Sequence, residues 1–201
     1  MFREKMDDFQ QRGEEIISAG KILYQQGLVP ATSGNFSARL ADGNILITVS
    51  GKHKGKLTLD DLMIVDSQGN PLEEKQPSAE MGLHIQIYQH FTDVGAILHP
   101  HALNAVLLSR RQKVVTLNNY ELLKAFPGVD SHLATVHIPI FANNQDIPAL
   151  MVEVEEYLTK SEYFVGYIIA GHGFYTWGKT MTDTLRHVEA LDYLFACELK
   201  Q

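Results

Sequence analysis

His99, Pro100 and His101 set two imidazoles two positions apart. In extended backbone such residues point to the same side, so both rings can reach one ion. Pro100 favours that extended form at His99 and donates no backbone hydrogen bond. A third imidazole, His172, follows the apolar run 165–170 and stands between Gly171 and Gly173. Glycines there let the chain turn and let a ligand come close. Zinc takes imidazole nitrogen readily, and three protein ligands without a fourth leave a position open, as catalytic sites do. Cys197 is the sole cysteine, so neither a thiolate cluster nor an intrachain disulfide is available.

A second group of residues suits an anion. Ser33-Gly34-Asn35 and Ser50-Gly51 are small, polar and glycine-bearing, and such loops offer hydroxyls and free N–H groups to a phosphate. Ser78 adds a hydroxyl where a helix is expected to begin, and the helix dipole favours negative charge there. Lys52, Lys54 and Lys56 form the dense basic run of the chain, and Lys52 is the expected phosphate contact. Two carboxylates compete for proton transfer. Glu80 heads the helix beside Ser78, and Glu121 lies in the largely apolar stretch 118–124, where a charge needs a reason. Pattern alone leaves both open. His84, His90, His132, His137 and His187 read as structural or solvated side chains, and His53 as part of the basic loop.

These groups need elements to hold them. An amphipathic helix is expected from Asp8 to Gly27, with Phe9, Ile16, Gly20 and Leu23 roughly on one side. Short strands follow at 36–40 and 44–48, joined by the turn Asp42-Gly43, then one at 62–66. A helix capped by Ser78 should run from Ala79 to about His90. Gly95 to His99 reads as a buried strand and 102–110 as the helix after it. Another strand is expected at 135–140, a helix after Asp146, and a hairpin of 165–170 with 174–177. The last helix begins near Thr180 and buries Leu185, Val188, Leu191 and Phe195. The fold class is therefore α/β in three layers, a central, mostly antiparallel sheet flanked by helices, forming a single domain over residues 1–201.

Composition narrows the partners. At 45% apolar and 20% charged residues the chain is an ordinary globular one,. Its net charge of −7 argues against nucleic acid or an anionic membrane as the main partner, since both need a basic face. Apolar runs such as 94–98 are too short for a membrane span, and the charged start of the chain does not read as a signal peptide. A cytoplasmic location is expected.

Taken in order, Ser33-Gly34-Asn35, Ser50-Gly51, Pro77-Ser78-Ala79-Glu80, His99-Pro100-His101 and Gly171-His172-Gly173 resemble the class II zinc aldolase/adducin superfamily over nearly the whole chain. The segments 120–124, 139–147 and 171–178 narrow the likeness to the branch that dehydrates 5-methylthioribulose 1-phosphate in methionine salvage. The resemblance implies one Zn²⁺ per subunit on His99, His101 and His172. It implies phosphate binding by Ser33, Gly34, Asn35, Ser50, Gly51 and Ser78, and a homotetramer with sites at subunit interfaces. Glu80 matches the acid/base glutamate of the aldolases and Glu121 that of the dehydratases, which favours Glu121 as the catalytic group with Glu80 lining the site. A sugar-phosphate aldolase or epimerase of the fuculose or ribulose phosphate type is the runner-up. A non-catalytic adducin-like module is a third reading, disfavoured because all three histidines are present.

Overall fold

The computed structural model describes the backbone of residues 2–161 and 163–201, and the side chains of these from residue 7 onward. Its strands are β1 (Asn35–Arg39), β2 (Ile45–Thr48), β3 (Leu62–Val65), β4 (Ala96–His99), β5 (Val114–Asn118), β6 (Thr135–Phe141), β7 (Tyr167–Ile169) and β8 (Gly173–Gly178). They form one sheet in the order β3-β2-β1-β4-β8-β7-β6-β5. Only β6 and β7 run parallel; the other pairs are antiparallel. The helices are α1 (Phe2–Gln25), α2 (Met81–His90), α3 (Leu103–Leu108), α4 (Ile147–Lys160) and α5 (Met181–Glu198).

Strand side chains alternate between the two faces, and the two apolar cores follow that period. Leu46, Ala96, Leu98, Ile168 and Phe174 join one core. Their neighbours Ile45, Ile47, Ile97, Tyr167, Ile169, Tyr175 and Trp177 join the other. The first core is closed by α1, α3 and α5, through residues such as Ile16, Ala105 and Leu191. The second is closed by α2 and α4, through Leu83, Ile87, Leu150 and Val154. Fully burying each such side chain contributes about 1.5–3 kcal/mol, so helices cover both faces of the sheet. The expected three-layer arrangement is the one observed.

Differences from expectation are local. Strand β5 was not anticipated, although Val115 and Leu117 are buried and their neighbours exposed in strict alternation. Helix α2 begins at Met81 rather than Ala79, because Glu80 is its N-cap and 78–80 form a turn in which the Ser78 carbonyl accepts from the Met81 N–H at 3.1 Å.

The order of strands explains how distant residues meet. His99 ends β4, paired with Asn35 at the start of β1. On the other side of β4 lies β8, whose first residue Gly173 pairs with Ile169 of β7 across the turn that carries His172. Three chain segments thus converge at one end of the sheet.

Candidate metal centre

The ligand atoms of Glu80, His99, His101 and His172 all lie within 4.8 Å of one another. The ring centroids are 4.9 Å apart for His99–His101, 5.1 Å for His99–His172 and 4.3 Å for His101–His172. Gly173 makes the approach possible, since a Cβ there would sit 2.3 Å from the Pro100 carbonyl oxygen and 3.1 Å from His99 Cε1. Gly34 does the same from β1: its φ is +80° and a Cβ would meet the His99 carbonyl oxygen at 2.7 Å.

The proton on His99 is fixed by its surroundings. Nδ1 lies 2.8 Å from the Phe174 carbonyl oxygen, which can only accept, so Nδ1–H donates. Nε2 then presents a lone pair, is fully buried, and has no hydrogen-bond partner. It faces Glu80 Oε2 at 3.2 Å, while His172 Nε2 faces Glu80 Oε1 at 3.3 Å. Doubly protonated rings would make these contacts ion pairs, but burial opposes charging His172. Burial is the leading cause that lowers His172 below its ordinary value and holds His101 at about 3. Converging acceptors with no shared proton fit a divalent cation. The Phe174 carbonyl orients His99 as a ligand-positioning acceptor does in metal sites.

Glu80 is buried and anchored from behind. Asn35 Nδ2 donates to its Oε2 at 2.8 Å and Tyr175 Oη donates to the same oxygen at 3.2 Å. Burial pushes the Glu80 carboxyl up, whereas protonated His99 and His172, with the Asn35 amide, would hold it well below the carboxylate range. Because Asn35 turns its NH₂ to Glu80, its Oδ1 must accept from His84 Nε2. His84 Nδ1 is then an acceptor and takes the Ser37 hydroxyl proton at 2.7 Å, while Ser37 Oγ accepts from Tyr88 at 2.9 Å. Every donor in this buried chain points toward Glu80. Burial lowers His84 to about 3, which keeps the ring neutral as the chain requires.

A cavity of about 400 Å³ opens on the triad and is lined by Thr32, Ser33, Gly34, Ser50, Gly51 and Ser78, with Asn35, Lys54, Glu80, His101 and His172. The structure therefore brings the expected anion loops beside the expected metal ligands. Asn35 borders the cavity, but its amide is committed to Glu80 and His84. Lys52 is not among the lining residues; it is half-exposed and pairs with Asp61 at 2.9 Å. Glu121 also lies outside the cluster. It sits on a 3₁₀ turn at 121–125, its side chain is 75% exposed, and it pairs with Lys124 at 2.7 Å. It borders a separate surface hollow with Asn119, Tyr120, Leu122 and Tyr193.

Sequence reasoning missed Lys54, Tyr175 and the segment 143–145 as parts of the site. The polar run Asn143-Asn144-Gln145 before α4 was a usable signal, since it lines the cavity. The burial of Lys54 left no trace in the local pattern.

Comparison with known proteins agrees with this geometry. The model of the Class II Aldolase and Adducin N-terminal domain matches residues 14–199. A methylthioribulose-1-phosphate dehydratase of Methylococcus capsulatus is 53% identical over 194 residues, covering 96% of this chain and 95% of that protein. One of Azotobacter vinelandii is 51% identical over 189 residues, covering 92% of each. Among solved structures, L-fuculose-1-phosphate aldolase from Thermus thermophilus superposes with a TM-score of 0.77 at 25% identity, over 95% of this chain and 94% of that one. YgbL from Klebsiella pneumoniae gives 0.81 at 23% identity, over 96% and 90%. With the family model matching residues 14–199 and half of its residues identical to such relatives over nearly full length, the chain belongs to the class II aldolase and adducin family, on the branch of the methylthioribulose-1-phosphate dehydratases.

Proposed function

We propose that this chain is a hydro-lyase of methionine salvage that converts 5-methylthioribulose 1-phosphate to 5-methylthio-2,3-dioxopentyl 1-phosphate. The convergence of His99, His101 and His172 at the wall of a hydroxyl-lined cavity is the observation that carries this reading. The triad would hold one zinc ion per subunit, three imidazoles leaving a coordination position open to the substrate. Bound there, the ion supplies Lewis-acid polarisation of the substrate's C2 carbonyl.

The remaining work falls to side chains and loops. The loops 33–35 and 50–51, with Ser78, cradle the phosphate and fix the ketose along the cavity. Asn35 and Tyr175 hold Glu80 ionised and turned to the triad. The carbonyl acidifies the proton at C3, a carboxylate removes it, and the C4 hydroxyl departs as water on receiving a proton. The resulting enol ketonises to the diketone. Glu121 is the carboxylate we assign to that transfer. Its exposure and its absence from the cavity lining accord with service to the site of a neighbouring copy in a homotetramer. The exposed apolar side chains Leu103, Leu107, Leu122 and Tyr193 accord with such contacts.

A second reading, sugar-phosphate aldolase, is favoured by Glu80, the carboxylate that does lie beside the triad. Purified zinc-loaded protein separates the two. Turnover of 5-methylthioribulose 1-phosphate to a diketone is expected, and Glu121→Gln should lower kcat by about 10²–10⁴-fold while retaining the metal. Retro-aldol cleavage of fuculose 1-phosphate without dehydration, or full activity in Glu121→Gln, would transfer the role to Glu80.

A further inference from the structure

Lys54 is a buried cation without a buried anion. The residue is 1% exposed, in the 3₁₀ turn Lys54–Lys56. That turn is held by His53, whose Nδ1 accepts from the Gly55 N–H at 3.2 Å. On its other side α1 presses Gly20 so close that a Cβ there would meet the Lys54 carbonyl oxygen at 2.3 Å. The Lys54 Nζ donates to the carbonyls of Thr32 at 3.0 Å and of Lys52 at 2.6 Å. An ammonium carries three donors, so one N–H remains. Among the described residues no carboxylate pairs with Nζ. Buried charges are ordinarily paired or bound to an ion.

The surroundings say which ion. Lys54 borders the same cavity as Ser33, Gly34, Ser50, Gly51 and Ser78. Ser33 Oγ there is buried and has no hydrogen-bond partner. Gly34 and Gly51 have φ of +80° and +72°, conformations that let successive N–H groups form a concave anion site. No carboxylate lies among these loop residues, and the chain as a whole carries −7. A dianion arriving here needs a local positive charge.

We propose that Lys54 is the fixed countercharge for the phosphate of the substrate, its two carbonyl contacts aiming the remaining N–H into the cavity. The assignment rests on the ketose-phosphate reading above for its ligand, but the titration with inorganic phosphate does not. It moves the cationic contact from the exposed Lys52, which Asp61 already neutralises. Burial lowers the Lys54 ammonium to about 8, the state of a charge that has left water without gaining a partner.

Inorganic phosphate is the first probe, titrated calorimetrically into the full-length zinc-loaded protein. Lys54→Met should weaken it about 10–100-fold, the loss of one charge-assisted hydrogen bond, and Lys54→Arg should restore most of it. A purely structural role would weaken all ligands alike. The second probe is therefore the pair 5-methylthioribulose 1-phosphate and its unphosphorylated ketose. Lys54→Met should raise the KM or Kd of the first about 10–100-fold and leave the affinity of the second within about twofold. Equal weakening of both, unchanged phosphate affinity, or loss confined to Lys52→Met would overturn the assignment. Should Lys54→Met not fold, Lys54→Gln carries the same expectation. Lys54-dependent phosphate binding in a protein that dehydrates nothing would reject the dehydratase and leave this inference standing.

Discussion

His84 should make the fold sensitive to mild acid in a way one substitution removes. Its ring is fully buried between Ser37 and Asn35, and its folded value lies at about 3 against 6.5 for a free imidazole. Between those values the unfolded chain binds a proton that the folded chain refuses, so stability falls as pH drops through the window and is intact above 6.5. At pH 5 the free ring lies one and a half pH units above the solution, each worth about 1.4 kcal/mol, which gives a loss of about 2 kcal/mol relative to neutral pH. Urea unfolding of chelator-treated protein at pH 7, 6 and 5 measures this. His84→Gln keeps an N–H for Asn35 but cannot titrate, so its stability should fall less by about 2 kcal/mol over the same interval. The other buried imidazoles remain in both proteins and cancel in the comparison. Parallel pH curves for the two proteins would refute the neutral, directed chain from Tyr88 to Glu80.

Two further substitutions probe the site. Gly173→Ala places a methyl group against the Pro100 carbonyl, backbone on backbone, so it should destabilise the protein by more than about 1 kcal/mol and weaken metal binding; differential scanning calorimetry with and without zinc checks both. Tyr175→Phe removes the hydroxyl donated to Glu80, a hydrogen bond to a charged group worth about 1.5–3 kcal/mol. Zinc affinity measured by chelator competition should change at least fivefold, and an unchanged value would show that Asn35 alone orients the carboxylate.

The legible parts of the sequence were those set by local period and local chemistry. Alternation and turn residues gave the strands on either side of Asp42-Gly43, and Asp146 and Thr180 do cap α4 and α5 through side-chain acceptance from Ala149 and Asp183. The histidine spacing worked because an extended i, i+2 pair needs no tertiary information. What escaped depended on contacts between remote segments. Lys54 becomes buried only because Gly20 of α1 and the carbonyl of Thr32 close over it; in the sequence it is one lysine of three. His84 reads as a structural or solvated side chain, and its service to Glu80 appears only when β1 delivers Asn35 between them. Glu121 is the converse case, a charge in an apolar stretch that faces solvent and pairs with Lys124.

In the proposed reaction His99, His101 and His172, with Glu80 beside them, hold the catalytic cation. Metal analysis of the native protein, followed by chelation and stepwise return of zinc during turnover of 5-methylthioribulose 1-phosphate, tests it directly. One equivalent per chain is expected, with activity lost on chelation, restored in proportion to zinc, and absent with no bound metal in His99→Ala. Full dehydration by protein stripped of metal, or undiminished zinc content in that variant, would contradict it.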